Sequence, residues 1–128
     1  MNTLRILLLI GLGGGLGSIF RYLTTLWVQK NYAGVFPLAT FLINVAGCFL
    51  IGILFGCIER FQWTSQSDIK YLFITGFCGG YTTFSAFAIE NVNLFQSDHT
   101  ASAFAYIALS VAVGLAATWA GLEAVKLV

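Results

Sequence analysis

Charge is what this sequence has least of. Only 9% of its 128 residues are charged, six Lys or Arg against five Asp or Glu, where a water-soluble domain carries about 25%. That scarcity excludes an ordinary soluble domain. Proline occurs once, as Pro37, and histidine once, as His99, a solvated side chain expected in a loop. The three cysteines, Cys48, Cys57 and Cys78, are odd in number and form no C-x-x-C pair, so neither a disulfide framework nor a thiolate metal site is indicated. Each is expected to pack as a small apolar residue. No nucleophile stands with a base, no metal-ligand cluster is visible and no P-loop lysine follows a glycine loop. The chain is therefore not expected to be an enzyme, and no nucleic-acid partner is expected.

What is there is hydrocarbon. The chain is 59% hydrophobic, and its length allows four spans of roughly 20 residues, each long enough to cross a hydrocarbon core of about 30 Å. The spans are read at about 4–27, 38–58, 71–95 and 101–125. Between them QKNYAGVFP, ERFQWTSQSDIK and QSDHT hold most of the charges. The whole chain, 1–128, is expected to be a single all-α transmembrane domain, with nothing left for a domain outside the bilayer. The N-terminal MNTLRILLLIGLGGGLG resembles a signal peptide, but the apolar run continues through Ile19 and Phe20 to Trp27, too long for a cleaved segment.

Four spans put the N-terminus, the second loop and the C-terminus on one side, with Arg5, Arg60, Lys70 and Lys126. The other side has Lys30, with Arg21 near the end of the first span. Positive residues in short loops stay inside, which predicts an N-inside topology. So small a bias also permits insertion both ways and an antiparallel pairing of identical subunits.

Helices in lipid associate where small residues let backbones approach. Gly11 with Gly15, Gly13 with Gly17, and Gly14 with Ser18 in the first span, and Gly52 with Gly56 in the second, are such seams. The polar groups that remain at membrane depth need partners or an aqueous path. They are Thr40 and Asn44 in the second span, Thr82, Thr83, Ser85, Glu90 and Asn91 in the third, and Tyr106, Ser110, Gly114 and Thr118 at every fourth position of the fourth. Taken singly, each hydroxyl is better read as interhelical glue. Polar faces converging from three helices suggest a conduit, and neutral donors suit an anion better than a cation.

The third span contains GFCGGYTTFS at 76–85. Gly79 and Gly80 each disfavour helix by about 1 kcal/mol relative to Ala, and Thr82 and Thr83 are β-branched, so a break is expected between Gly76 and Thr83. Non-helical backbone at this depth is tolerated only where protein buries it or it lines a cavity, and broken helices offer carbonyls to cations and N–H groups to anions. Phe84 and Phe87 follow directly; ring edges are positive and could favour a small anion.

Gly79-Gly80-Tyr81-Thr82-Thr83-Phe84-Ser85-Ala86-Phe87, with Glu90 three residues on, closely resembles the GGxTTFSxF signature of the Fluc/CrcB fluoride ion channels. The likeness extends in order to Gly13-Gly14 through Gly17-Ser18 and Arg21, to Asn44, and to Tyr106, Ser110 and Thr118, covering essentially the whole chain. The resemblance implies a dual-topology antiparallel homodimer in a bacterial cytoplasmic membrane, with two passive fluoride paths that let fluoride, admitted as HF, leave down its electrochemical gradient. It implies that Phe84 and Phe87 line the paths by their ring edges, that Asn44 faces the pore, that Ser110 and Thr118 form a polar track, and that Arg21 lies by the vestibule. Tyr106, Thr83, Ser85, Thr40 and Glu90 join that pathway. It also implies a structural sodium ion where the two breaks cross, on the carbonyls of Gly79 and Thr82. Gly114, Ala86 and Ala88 stand where relatives often carry hydroxyls. The nearest alternative is a four-span, dual-topology multidrug or guanidinium exporter, which is expected to carry a membrane-embedded Glu in its first span; this first span has no acid. A non-transporting assembly subunit would explain the glycine seams but not the polar convergence.

Overall fold

The computed structural model describes residues 2–63 and 67–128. Residues 64–66, in the predicted second loop, lie outside the described residues. Four helices are long and apolar enough to cross a membrane: Thr3–Asn31, Leu38–Arg60, Lys70–Gln96 and Thr100–Lys126. They match the expected spans, and the first runs on to Asn31 instead of ending near Trp27. The chain is a multi-pass, all-helical membrane protein, and no strand occurs among the described residues.

Local chemistry explains the ends. Asn2 caps the first helix, its side chain accepting the Leu4 N–H at 3.0 Å. Lys30 sits in the last turn, where a cation favours the helix dipole. Pro37 stands at the N-cap of the second helix, where a missing N–H costs nothing. The Arg5 guanidinium pairs with Asp68 at the start of the third span, and Arg60 donates to the Val128 carbonyl. These contacts gather the first helix's start, the second connection and the C-terminus at one end, as an even number of spans requires.

The helices pack in two pairs. The second lies chiefly along the fourth, and the first along the part of the third span that precedes its break. Glycine sets both seams. A Cβ on Gly13 would collide with the Leu72 carbonyl, one on Gly17 with the Phe77 carbonyl and one on Gly80 with Gly14. In the other pair, a Cβ on Gly52 would strike the Thr118 carbonyl, and one on Gly121 the Phe49 carbonyl. Gly11 and Gly15 behave otherwise: a Cβ on either meets nothing within 4 Å. Their expected seam is not used within this chain, because the face carrying Gly13 and Gly17 is the one turned to the third span.

The third span changes partner midway. Lys70–Cys78 is a π-helix that passes into an α-helical turn at Gly79–Tyr81, and a new α-helix runs Phe84–Gln96. The first stretch is held by the first helix. The second leans on the fourth helix through a core of Leu94, Ala103 and Tyr106, flanked by Phe36, Phe41 and Phe87. The break falls inside the stretch from Gly76 to Thr83 that the sequence marks, at its C-terminal end. Gly79 and Gly80 are helical, and only Thr82 and Thr83 are extended. The low helix propensity of Gly76 and Gly80 is overridden because their missing side chains let the first helix approach.

Candidate functional site

The site begins with backbone groups that lose their helical partners. Thr82 has φ −80° and ψ 158°, Thr83 φ −151° and ψ 122°, conformations that β-branched residues accept readily. The Thr82 N–H is the last to bond into the preceding helix, donating to the Cys78 carbonyl at 3.0 Å. Its hydroxyl donates to the same carbonyl at 2.8 Å. The next N–H leaves the ladder: Thr83 donates to Asn44 Oδ1 at 2.8 Å, and Asn44 Nδ2 donates to the Thr83 carbonyl at 3.0 Å. Thr83 Oγ1 then caps the following helix by accepting the Ala86 N–H at 3.2 Å.

Two consequences follow. The carbonyls of residues 79–82 receive no N–H from the turn after them, and the N–H groups of Phe84 and Ser85 open the next helix with no backbone acceptor. The break thus offers both signs of partial charge within a few residues. Gly79, Thr82, Thr83, Asn44 and Phe84 line one groove of about 400 Å³. Among the described residues no three His, Cys, Asp or Glu side chains stand together for a metal; the oxygens lining this groove are backbone carbonyls, Thr hydroxyls and the Asn44 amide.

Phe84 is 79% exposed. Its ring centroid lies 5.6 Å from that of Phe87 at an interplanar angle of 41°. Phe87 is steadied behind by Tyr106, edge to face at 5.0 Å. Phe87 therefore has a fixed ring orientation, whereas Phe84 projects out of the chain.

One helical turn on, Glu90 joins three helices. Thr40 of the second helix donates its hydroxyl to Oε2 at 2.9 Å, and Tyr106 of the fourth donates to Oε1 at 3.1 Å. Each carboxylate oxygen thus accepts one hydroxyl, and neither ion pair among the described residues includes Glu90. Glu90 lines two cavities. One, about 610 Å³, brings Arg21, Thr40, Thr83 and Ser85 together with Ser18 and Thr25. The other, about 430 Å³, lies under residues 32–39 and reaches His99. Arg21 supplies the positive charge of the first cavity.

The fourth-helix stripe divides. Tyr106 is fully buried and meets the site through its hydroxyl on Glu90 and its ring on Phe87. Ser110 Oγ is buried with no partner, while Thr118 spends its proton on the Gly114 carbonyl at 3.1 Å. Neither Ser110 nor Thr118 lines the cavities around Glu90. A Cβ at Gly114 would meet Cys48 Sγ at 3.6 Å, an ordinary contact. Ala86 lines the Arg21 cavity and Ala88 is exposed. Sequence reasoning missed Ser18 and Thr25 as cavity walls and the pair of hydrogen bonds between Asn44 and the Thr83 backbone. The i, i+3 and i, i+4 spacing of Ser18 and Thr25 from Arg21 was the signal for the first.

Residues 8–122 match the family described as CrcB-like protein, Camphor Resistance (CrcB). The chain is 56% identical over 117 residues to a Flavobacterium psychrophilum protein named Fluoride-specific ion channel FluC, covering 91% of this chain and 94% of that one. A protein of the same name from Azobacteroides pseudotrichonymphae is 41% identical over 118 residues, 92% of this chain and 94% of its own. One from Rhodococcus jostii, Fluoride-specific ion channel FluC 2, is 45% identical over 115 residues, with 89% and 93% covered. A match that runs from the first helix into the last and takes in the break, the aromatic pair and Glu90 makes this chain a member of the CrcB family.

Proposed function

We propose that the chain is a fluoride channel that acts as an antiparallel homodimer in a bacterial cytoplasmic membrane, each dimer carrying two passive paths. The observation that carries the reading is the break at Thr82 and Thr83, which frees carbonyls on one side and N–H groups on the other. The names and bacterial origin of the relatives support the ion and the membrane.

On this reading an anion is drawn by Arg21 into the cavity that Arg21 shares with Glu90, and meets the hydroxyls of Ser18, Thr25, Thr83 and Ser85. Asn44 keeps the break open by satisfying Thr83, and the edges of Phe84 and Phe87 replace part of the ion's water. Thr40, Tyr106 and Glu90 form the next polar station, and Ser110 and Thr118 extend it along the fourth helix. Thr40 and Tyr106 donate to Glu90, so an anion at this station competes with the carboxylate for the same two hydroxyls. The exposed Phe84 and the groove beside it suit a second copy of the chain.

A sodium ion fits this groove, because the carbonyls of Gly79 and Thr82 have lost their helical donors. Hard cations take about six or more oxygens, and a two-fold axis doubles what one chain offers. When bound, the ion supplies a fixed positive charge that joins the two breaks. The exporter reading draws no support from the first helix, which has no acid.

Reconstitution into liposomes tests the proposal. Rapid, electrogenic fluoride flux with little chloride flux is expected; folded dimer that passes no fluoride refutes it.

A further inference from the structure

Tyr81 is the last helical residue before the break, and its hydroxyl lies 3.0 Å from Thr24 Oγ1 on the first helix. Thr24 has a single proton, and its hydroxyl lies 2.9 Å from the Phe20 carbonyl, to which it donates. The direction of the pair is thereby fixed: Tyr81 donates and Thr24 accepts. The ring is held as well, stacked on Phe77 at 5.9 Å and 7°, and Phe77 in turn leans on Phe20 at 5.8 Å. Thr24 and Phe20 thus receive the two ends of one aromatic ladder that descends from the break.

Helices commonly end on a left-handed residue whose N–H groups fold back on the last carbonyls. Here the chain leaves directly into extended Thr82, and no glycine has positive φ. Something else must hold the end of this helix, and two ties do. Asn44 of the second helix holds Thr83 after the break, and Tyr81 holds the last turn before it to the first helix. Thr24 lies one turn beyond Arg21, beside Thr25, so the same bond sets the register of the first helix that brings Arg21 into its cavity.

We propose that the Tyr81 hydroxyl is a positioning group: by donating to Thr24 it sets where the broken helix ends relative to Arg21, and so governs the rate of anion passage. This rests on the channel reading for its rate consequence, and on geometry alone for the tie.

The full chain in liposomes is tested as Tyr81→Phe, Thr24→Val, Thr24→Ser and the double variant Tyr81→Phe with Thr24→Val. Tyr81→Phe keeps the stacked ring and removes only the donor. Losing one neutral hydrogen bond at the site predicts about a fivefold fall in fluoride flux. Thr24→Val should match it, the double variant should fall no further than either single one, and Thr24→Ser should retain the flux of the unaltered chain. Amide exchange across residues 79–85 should quicken in Tyr81→Phe and Thr24→Val and not in Thr24→Ser. Flux within twofold of the unaltered chain in Tyr81→Phe, single effects that multiply in the double variant, or unchanged exchange would each overturn the tie. If the unaltered chain passes no fluoride the channel reading fails, and the exchange comparison still decides the tie.

Discussion

Replacing Asn44 with Ala removes two hydrogen bonds at once, the 2.8 Å bond from the Thr83 N–H and the 3.0 Å bond to the Thr83 carbonyl. Both belong to backbone extended at membrane depth, whose polar groups have left the helical ladder and need partners. Interhelical hydrogen bonds measured in membranes average about 0.6 kcal/mol and reach about 1.7, so the pair is worth about 1 to 3 kcal/mol. Against a typical stability of about 5 to 15 kcal/mol, that is a loss visible in melting. We expect a fall of roughly 3 to 10 °C in purified protein followed by circular dichroism, with fluoride flux reduced more than tenfold because the unclamped break no longer presents its groups together. Thr118→Val is the control. It also removes a membrane-embedded hydroxyl, but that hydroxyl bonds within its own helix to Gly114, and its loss should leave the melting temperature within about 2 °C. If Asn44→Ala melts with the unaltered chain, or no lower than Thr118→Val, the clamp is not what holds the break.

Gly17→Ala should destabilise the protein by about 1 to 3 kcal/mol, since its new Cβ meets the Phe77 carbonyl; Gly11→Ala, whose Cβ meets nothing, should be neutral or slightly stabilising, and equal melting of the two would refute the seam assignment. Phe84→Ile or Phe87→Ile should suppress fluoride flux at least tenfold with the dimer intact on size-exclusion chromatography, and near-normal flux in both would reject the ring-edge role. Exchanging sodium for a much larger cation should lower flux if Gly79 and Thr82 hold the ion, whereas indifference to sodium would remove that site.

The spans were legible because length and hydrocarbon content decide them, whatever the neighbours. The break was legible to within the stretch from Gly76 to Thr83, but not its exact position in that stretch. Gly79-Gly80 announces weak helix by propensity, yet Gly80 is chosen for the close approach of Gly14, and the interruption sits at Thr82 and Thr83, where the partner is Asn44, 39 residues away in sequence. Local propensity cannot see such a partner. The same limit applies to the interleaved glycines of the first helix: Gly11 and Gly13 have identical spacing to a neighbour four on, and only docking of the third span selects one stripe. Glu90 could be recognised as costly at membrane depth, but its two hydroxyl donors come from helices that sequence order does not bring together.

The exchange of partners along the third span bears on how the chain is made. Its first stretch rests on a helix synthesised long before it, and can dock as soon as it leaves the ribosome and enters the bilayer. Its second stretch rests on Tyr106 and Ala103, which are synthesised afterwards. Until the last helix arrives, Glu90 has Thr40 and no tyrosine, and Phe87 has no ring behind it. The final helix therefore does more than complete a bundle: its insertion is the event that matures the half of the third span where the aromatic pair lies, so a nascent chain lacking it would be anchored in the membrane and still unfinished at its centre.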